Sequence, residues 1–109
     1  MEIEKKQKQD DLTIVKISGN IDMSSCMSLR DVLLDCVKSK VKIILLNLEK
    51  VDYMDSSGLA TLVEAYQQLL GYGGNLKLAG LKPAVKELIH LAKMDQIFQV
   101  FDTVEDAIK

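Results

Sequence analysis

The sequence predicts a small single-domain α/β fold with a mixed, mostly parallel sheet and the order β-β-α-β-α-β-α-β-α. Three features carry that prediction. Val41-Lys42-Ile43-Ile44-Leu45-Leu46-Asn47-Leu48 is an almost unbroken apolar run of strand length, the pattern of a central strand covered on both faces. Leu59, Leu62, Val63, Tyr66, Leu69 and Leu70 repeat at i, i+3, i+4, i+7, which marks a helix with one apolar stripe. Strands and helical segments then alternate to the end of the chain, so crossovers of ten or more residues join strands in parallel.

The elements follow in order. Ile3 to Gln9 reads as a weak strand and Leu12 to Ser18, rich in β-branched residues, as a stronger one. Asp10-Asp11 is expected to make the tight turn of an antiparallel hairpin, and Gly19-Asn20 to turn the chain out of the second strand. Ser24 and Ser25 are candidate N-caps for a helix carrying Cys26, Leu29, Leu33, Cys36 and Val37. After the central strand, the helix around Leu59 to Leu70 stops at Gly71 and Gly73-Gly74. Asn75 to Ala79 is a short strand with Leu76 and Leu78 on one face. Pro83 opens a third helix bearing Val85, Leu88, Ile89 and Ala92. Ile97 to Phe101 is the last strand, and Asp102 or Thr103 caps a final helical turn ending near Ile108.

Bulk properties narrow the function. One domain over residues 1–109 fits the length, which is enough for a core without disulfides or metal. With 48% hydrophobic and 28% charged residues the composition is that of a folded soluble chain. The 14 basic and 16 acidic side chains give a formal charge of -2, and Lys5-Lys6-Gln7-Lys8 is a short solvated cluster flanked by acids. That balance lacks the basic footprint of a nucleic-acid binder. Cys26 and Cys36 are ten apart on one expected helix, about 15 Å by the rise per residue, so they are read as reduced, half-buried thiols beyond disulfide reach. Met1-Glu2-Ile3-Glu4-Lys5 has no apolar segment behind it, and no stretch is long enough to cross a bilayer. A cytoplasmic monomer without membrane contact is expected.

No catalytic constellation is visible. The single histidine, His90, lies between Ile89 and Leu91 and reads as a surface or half-buried helix residue. No metal-binding spacing occurs. Gly71-Tyr72-Gly73-Gly74 follows a helix and precedes a strand, the reverse of a dinucleotide fingerprint. Neither an enzyme nor a cofactor site is expected.

One segment exceeds what packing needs. Val51-Asp52-Tyr53-Met54-Asp55-Ser56-Ser57-Gly58-Leu59 reads as a loop joining the central strand to the most regular helix, at the carboxyl end of the strand, where open α/β sheets bind. Asp55 or Ser56 serves as an N-cap. A cap needs one oxygen, and this stretch offers two carboxylates and two hydroxyls beside a glycine. Ala60, Thr61, Glu64, Ala65 and Gln68 are expected on the outer face of the helix, and one of Met23 and Met54 in the core.

These residues resemble a family. Asp55-Ser56-Ser57-Gly58-Leu59, with Leu46-Asn47-Leu48 and Val51-Asp52-Tyr53-Met54 before it, is similar to the signature loop of STAS domains, and specifically of the bacterial anti-sigma factor antagonists (anti-anti-sigma factors). Gly19-Asn20-Ile21-Asp22 resembles the family's Gly-x-Leu-Asp turn, and Pro83-Ala84-Val85 the start of its third helix. The resemblance spans nearly the whole chain and implies the STAS fold. It further implies that Ser56 is phosphorylated by an anti-sigma factor that is itself a serine kinase, and that a serine phosphatase reverses the step. The unphosphorylated form would bind the anti-sigma factor and free the sigma factor. Asp22, Asp55, Ser56, Ser57, Gly58 and Thr61 would lie on the partner-binding surface. The alternative is a STAS scaffold subunit of a signalling or transport complex without phosphorylation. A nucleotide-binding or weakly hydrolytic domain is a third reading, which no phosphate-cradling motif supports.

Overall fold

In the computed structural model, which describes residues 1–9 and 11–109, five strands form one sheet in the order β1-β2-β3-β4-β5. β1 (Glu2–Gln9) pairs antiparallel with β2 (Leu12–Ile21). β3 (Ile43–Met54), β4 (Asn75–Ala79) and β5 (Gln99–Phe101) continue the sheet in parallel. The helices are α1 (Cys26–Lys38), α2 (Ser56–Leu70), α3 (Pro83–Leu91) and α4 (Val104–Ile108), with a 3-10 turn at Met94–Gln96. The expected order is observed. The turn expected at Asp10-Asp11 falls in part on Asp10, which lies outside the described residues.

Two layers of apolar side chains bury the sheet. On one face Ile44, Leu46 and Leu48 of β3 meet Leu29 and Leu33 of α1, Leu62 and Leu69 of α2, and Val85 and Ile89 of α3. On the other, Leu12, Leu45 and Ala79 are covered by Ala107 and its neighbours on α4. The central strand is therefore apolar on both sides, as its sequence pattern requires.

Two boundaries differ from the sequence reading, for one reason. Gly19-Asn20 does not turn the chain. β2 runs on to Ile21, pairing Gly19 with Val51 and Asn20 with Tyr53 across two register shifts. Gly19 adopts φ +103°, a left-handed conformation that a bulge needs and glycine supplies. Its partner β3 likewise continues to Met54. Residues 51–54, read from sequence as loop, belong to a strand whose Val51 and Met54 are buried. Long-range pairing outweighs the local turn signal.

The α1–α2 contact carries the bidentate pair of the fold. Arg30 donates to both carboxylate oxygens of Glu64 at 2.8 Å. That hydrogen bond holds the Glu64 carboxyl below its ordinary value of 4.5. A depressed carboxyl pKa stabilises the fold above the unfolded value and ceases to do so as acid titrates the folded group. The stability difference between wild type and Glu64→Gln, measured by urea denaturation, should therefore be full above the ordinary glutamate range and shrink as the pH falls below it.

Gly58 is a packing residue at the α2–β2 junction. A Cβ there would lie 2.7 Å from Ile21 Cγ2, 2.8 Å from the Ile21 carbonyl oxygen and 2.8 Å from Met54 Cγ. The carbonyl is backbone and cannot step aside. Gly58→Ala should destabilise the protein by about 1–3 kcal/mol, read as a lower urea midpoint at unchanged slope.

Candidate functional site

The site is the end of the sheet where β2 and β3 hand over to α1 and α2. Only Asp55 separates β3 from α2, and its extended backbone (φ -107°, ψ -174°) makes it the N-cap. One carboxylate oxygen, Oδ1, accepts from the amides of Ser57 at 2.9 Å and Gly58 at 3.1 Å. The other, Oδ2, accepts from the amide of Met23 at 3.2 Å, and the Asp55 amide donates to the Ile21 carbonyl at 3.1 Å. The two open caps of the sequence reading resolve to Asp55, because its backbone is extended and its carboxylate reaches the N2 and N3 amides, whereas Ser56 already lies inside the helix.

The β2–α1 connection is built around Asp22. Its Oδ1 accepts from the Ser24 hydroxyl at 2.6 Å and the Ser24 amide at 3.0 Å. The Ser24 hydroxyl in first place holds the Asp22 carboxyl below its ordinary value. Ser25 is the residue before α1, yet its hydroxyl does not cap the helix. It donates to the Asn20 carbonyl at 2.8 Å and accepts from the Asp22 amide at 3.0 Å. Two aspartates, one on each connection, thus fix both pieces of chain.

Ser56 is the first residue of α2 and is exposed; Ser57 is half-buried. Asp22 is half-buried beside them. Two residues expected on this surface are not available to a partner. Gly58 is buried against Ile21 and Met54. Thr61 is only 7% exposed, and its hydroxyl donates to the Ser57 carbonyl one turn back on α2 at 3.0 Å. Ala65, also expected outside, is buried in the same core. Asp52 is exposed but its charge is met by an ion pair with Lys82 at the start of α3. Of the methionines, Met54 is buried and Met23 is 77% exposed.

The structure adds residues of α3 that the sequence reading did not place at the site. Tyr53, Met54, Asp55 and Ser56 form one wall of a groove of about 470 Å³, and Ala84, Glu87, Leu88 and Leu91 of α3 form the other. Tyr53 is 51% and Leu91 71% exposed. Leu91 departs from the apolar stripe Val85-Leu88-Ile89-Ala92, a signal available in the sequence. His90 is an exposed helix residue, 2.8 Å from Asp95. Among the described residues no cluster of His, Cys, Asp or Glu suits a metal ion. No helix of the described residues is long and apolar enough to cross a membrane.

Comparison with known proteins assigns the family. The anti-sigma-B factor antagonist of Bacillus subtilis (strain 168) is 28% identical over 107 residues, covering 98% of this chain and 96% of that protein. YvdB of the same organism, named for sulfate transport, is 33% identical over 85 residues, which is 78% of this chain. The chain spans only 16% of YvdB. Among solved structures, an anti-sigma factor antagonist from Mycobacterium paratuberculosis matches with a TM-score of 0.86 at 27% identity, covering 98% of this chain and 92% of that one. The unphosphorylated form of the antagonist SpoIIAA shares the fold with a TM-score of 0.76 at 20% identity, over 98% and 94% of the two chains. The STAS domain profile matches residues 2–107, and the chain belongs to the STAS domain family.

Proposed function

We propose that this protein is a cytoplasmic anti-sigma factor antagonist whose partner binding is switched off by phosphorylation of Ser56. The observation that carries the reading is an exposed hydroxyl at the first position of α2, on backbone held by Asp55 next to the Asp22 turn. The similarity to antagonists over nearly their full length supports the same role. Asp22, Asp55, Ser56 and Ser57 form the docking surface. Gly58 and Thr61, both buried, shape it from beneath. The partner is an anti-sigma factor with serine-kinase activity, and a serine phosphatase resets the cycle.

Local charge is sufficient for the switch. A phosphate adds about -1.5 to -2 charges at neutral pH. Helix N-termini commonly accept such a group through their amides, but Asp55 already occupies those of Ser57 and Gly58. The phosphate therefore stands beside two carboxylates rather than in a cradle. A partner surface fitted to a hydroxyl must then desolvate a dianion, a cost of several kcal/mol and roughly a thousandfold in affinity.

YvdB favours a second reading, since its aligned segment is a small part of a much longer protein named for sulfate transport. In that reading the same surface docks a partner subunit without covalent control.

Three variants separate the possibilities. Ser56→Ala should retain partner binding and take up no phosphate from ATP in the presence of the kinase; mass spectrometry showing the same modification on this variant would refute the site. Ser56→Asp should fold normally and bind about tenfold or more weakly in calorimetry, the effect being partial because it carries about half the charge of phosphate. Asp55→Ala should cost about 1 kcal/mol of stability through the lost cap and also weaken binding, because Met23 is released. A wild-type protein that gains no mass from any such kinase, yet still binds through this surface, is a scaffold.

A further inference from the structure

β1 is an edge of the sheet. It pairs with β2 on one side and with no other strand among the described residues. Its outward amides and carbonyls are therefore open to a further strand. The opposite edge, β5, is three residues long, whereas β1 has eight. Glu2 to Gln7 run along β2 without a register shift, so this stretch is a regular template for pairing.

The side chains on this edge form two blocks of opposite sign. Glu2, Glu4 and Lys6 alternate along the regular stretch and share one face. Lys8 follows at the register shift between Gln7 and Gln9. All four are exposed, and none makes an ion pair among the described residues. The order along the strand is thus acid, acid, base, base, and an antiparallel copy reverses it. With Lys5 opposite the partner's Lys5, Glu4 meets the partner's Lys6, and Glu2 comes opposite the partner's Lys8. Two-fold symmetry makes each of these pairs twice. A slip of two residues sets Glu4 against the partner's Glu4 or Lys6 against the partner's Lys6, and in-register parallel pairing opposes like charges throughout. Like charges directly opposite destabilise a strand pair. On the other face, the lysine at the axis is already matched, since Lys5 Nζ lies 3.1 Å from Asp35. Lysines on an edge commonly prevent pairing. Here the two glutamates beside them restrict it to one orientation and one register.

We propose that β1 pairs antiparallel with β1 of a second copy of this chain, about a two-fold axis at Lys5, joining the two sheets into one. The contact is one strand wide, well below the size of a stable interface, so the dimer is weak, with a Kd of about 1 mM. The chain is accordingly monomeric when dilute. Sedimentation equilibrium of the whole chain in low salt, at concentrations spanning that Kd, should show a reversible dimer. Concentration-dependent amide shifts of ¹⁵N-labelled protein should centre on Glu2 to Gln7. Salt at about 0.5 M should weaken association several-fold by screening exposed charges. Glu4→Lys and Lys6→Glu each oppose like charges across the axis, and either variant alone should associate about tenfold more weakly. An equimolar mixture of the two variants restores opposite charges at both positions and should associate as the wild type does. Two damaged strands would not repair each other in this way. Wild type that stays monomeric over this range, shifts centred away from β1, single variants that associate like wild type, or a mixture no tighter than its components would each overturn the proposal.

Discussion

The Asp55 carboxylate joins two stretches of chain that are 32 residues apart in sequence. Through Oδ1 it fixes the first turn of α2, and through Oδ2 it fixes Met23 in the connection to α1. All three bonds run from backbone amides to a carboxylate, the stronger class of hydrogen bond. The bridge adds to the Ile21–Met54 strand pairing and to the bond from the Asp55 amide to the Ile21 carbonyl in fixing Ser56 relative to Asp22. Beneath it, Gly58 lets α2 approach Ile21 so closely that a methyl group cannot enter. The bridge and the close approach are two parts of one constraint: α2 must start at a fixed distance from the end of β2.

Under the proposed function, that constraint would let a change of charge act as a signal without a change of fold. The amides nearest to Ser56 are already satisfied, and the apolar floor of the junction is fully packed by Ile21, Val51 and Met54. A group added to the Ser56 oxygen points away from the core and gains no new backbone partner from Ser57 or Gly58. Its effect falls on whatever lies across the surface. The Asp52 carboxylate contributes less to this field than its sequence position suggests, because Lys82 neutralises it. Asp22 and Asp55 remain, each tied to hydroxyl or amide donors.

The fold was legible because its determinants are periodic. The two-sided burial of β3 and the single stripe of α2 appear directly as apolar patterns, and the element order follows from them. What local pattern could not convey was where pairing stops. Gly19-Asn20 has turn chemistry, and Asp52-Tyr53 is polar, yet both lie in strands because Gly19 pairs with Val51 and Asn20 with Tyr53 on either side of a register shift. The site was legible in Asp55 and Ser56, whose chemistry is set by a cap. It was not legible in Thr61 and Ala65. Their small or polar side chains look solvent-facing, but α1 closes over that side of α2, and small residues there are what close packing of two helices requires. The α3 wall of the groove was missed because it is 28 or more residues away from Ser56 in sequence and is brought there only by the crossover.

Parallel strands impose one further order on the molecule. β2, β3 and β4 run the same way, so their junctions with α1, α2 and α3 all fall at one end of the sheet. Asp22, Asp55 and Lys82 occupy those three junctions in turn. Each is tied to a neighbouring segment: Asp22 within its own turn, Asp55 to Met23, and Lys82 to Asp52. The end that carries exposed Ser56 is consequently cross-linked by polar bonds, while the two apolar layers hold the sheet below it. Such a platform separates two requirements that usually compete. The core sets the geometry, and the exposed side chains at the rim set the chemistry. Under the proposed function, loss of the Ser56 hydroxyl would remove the covalent control and leave the docking surface in place.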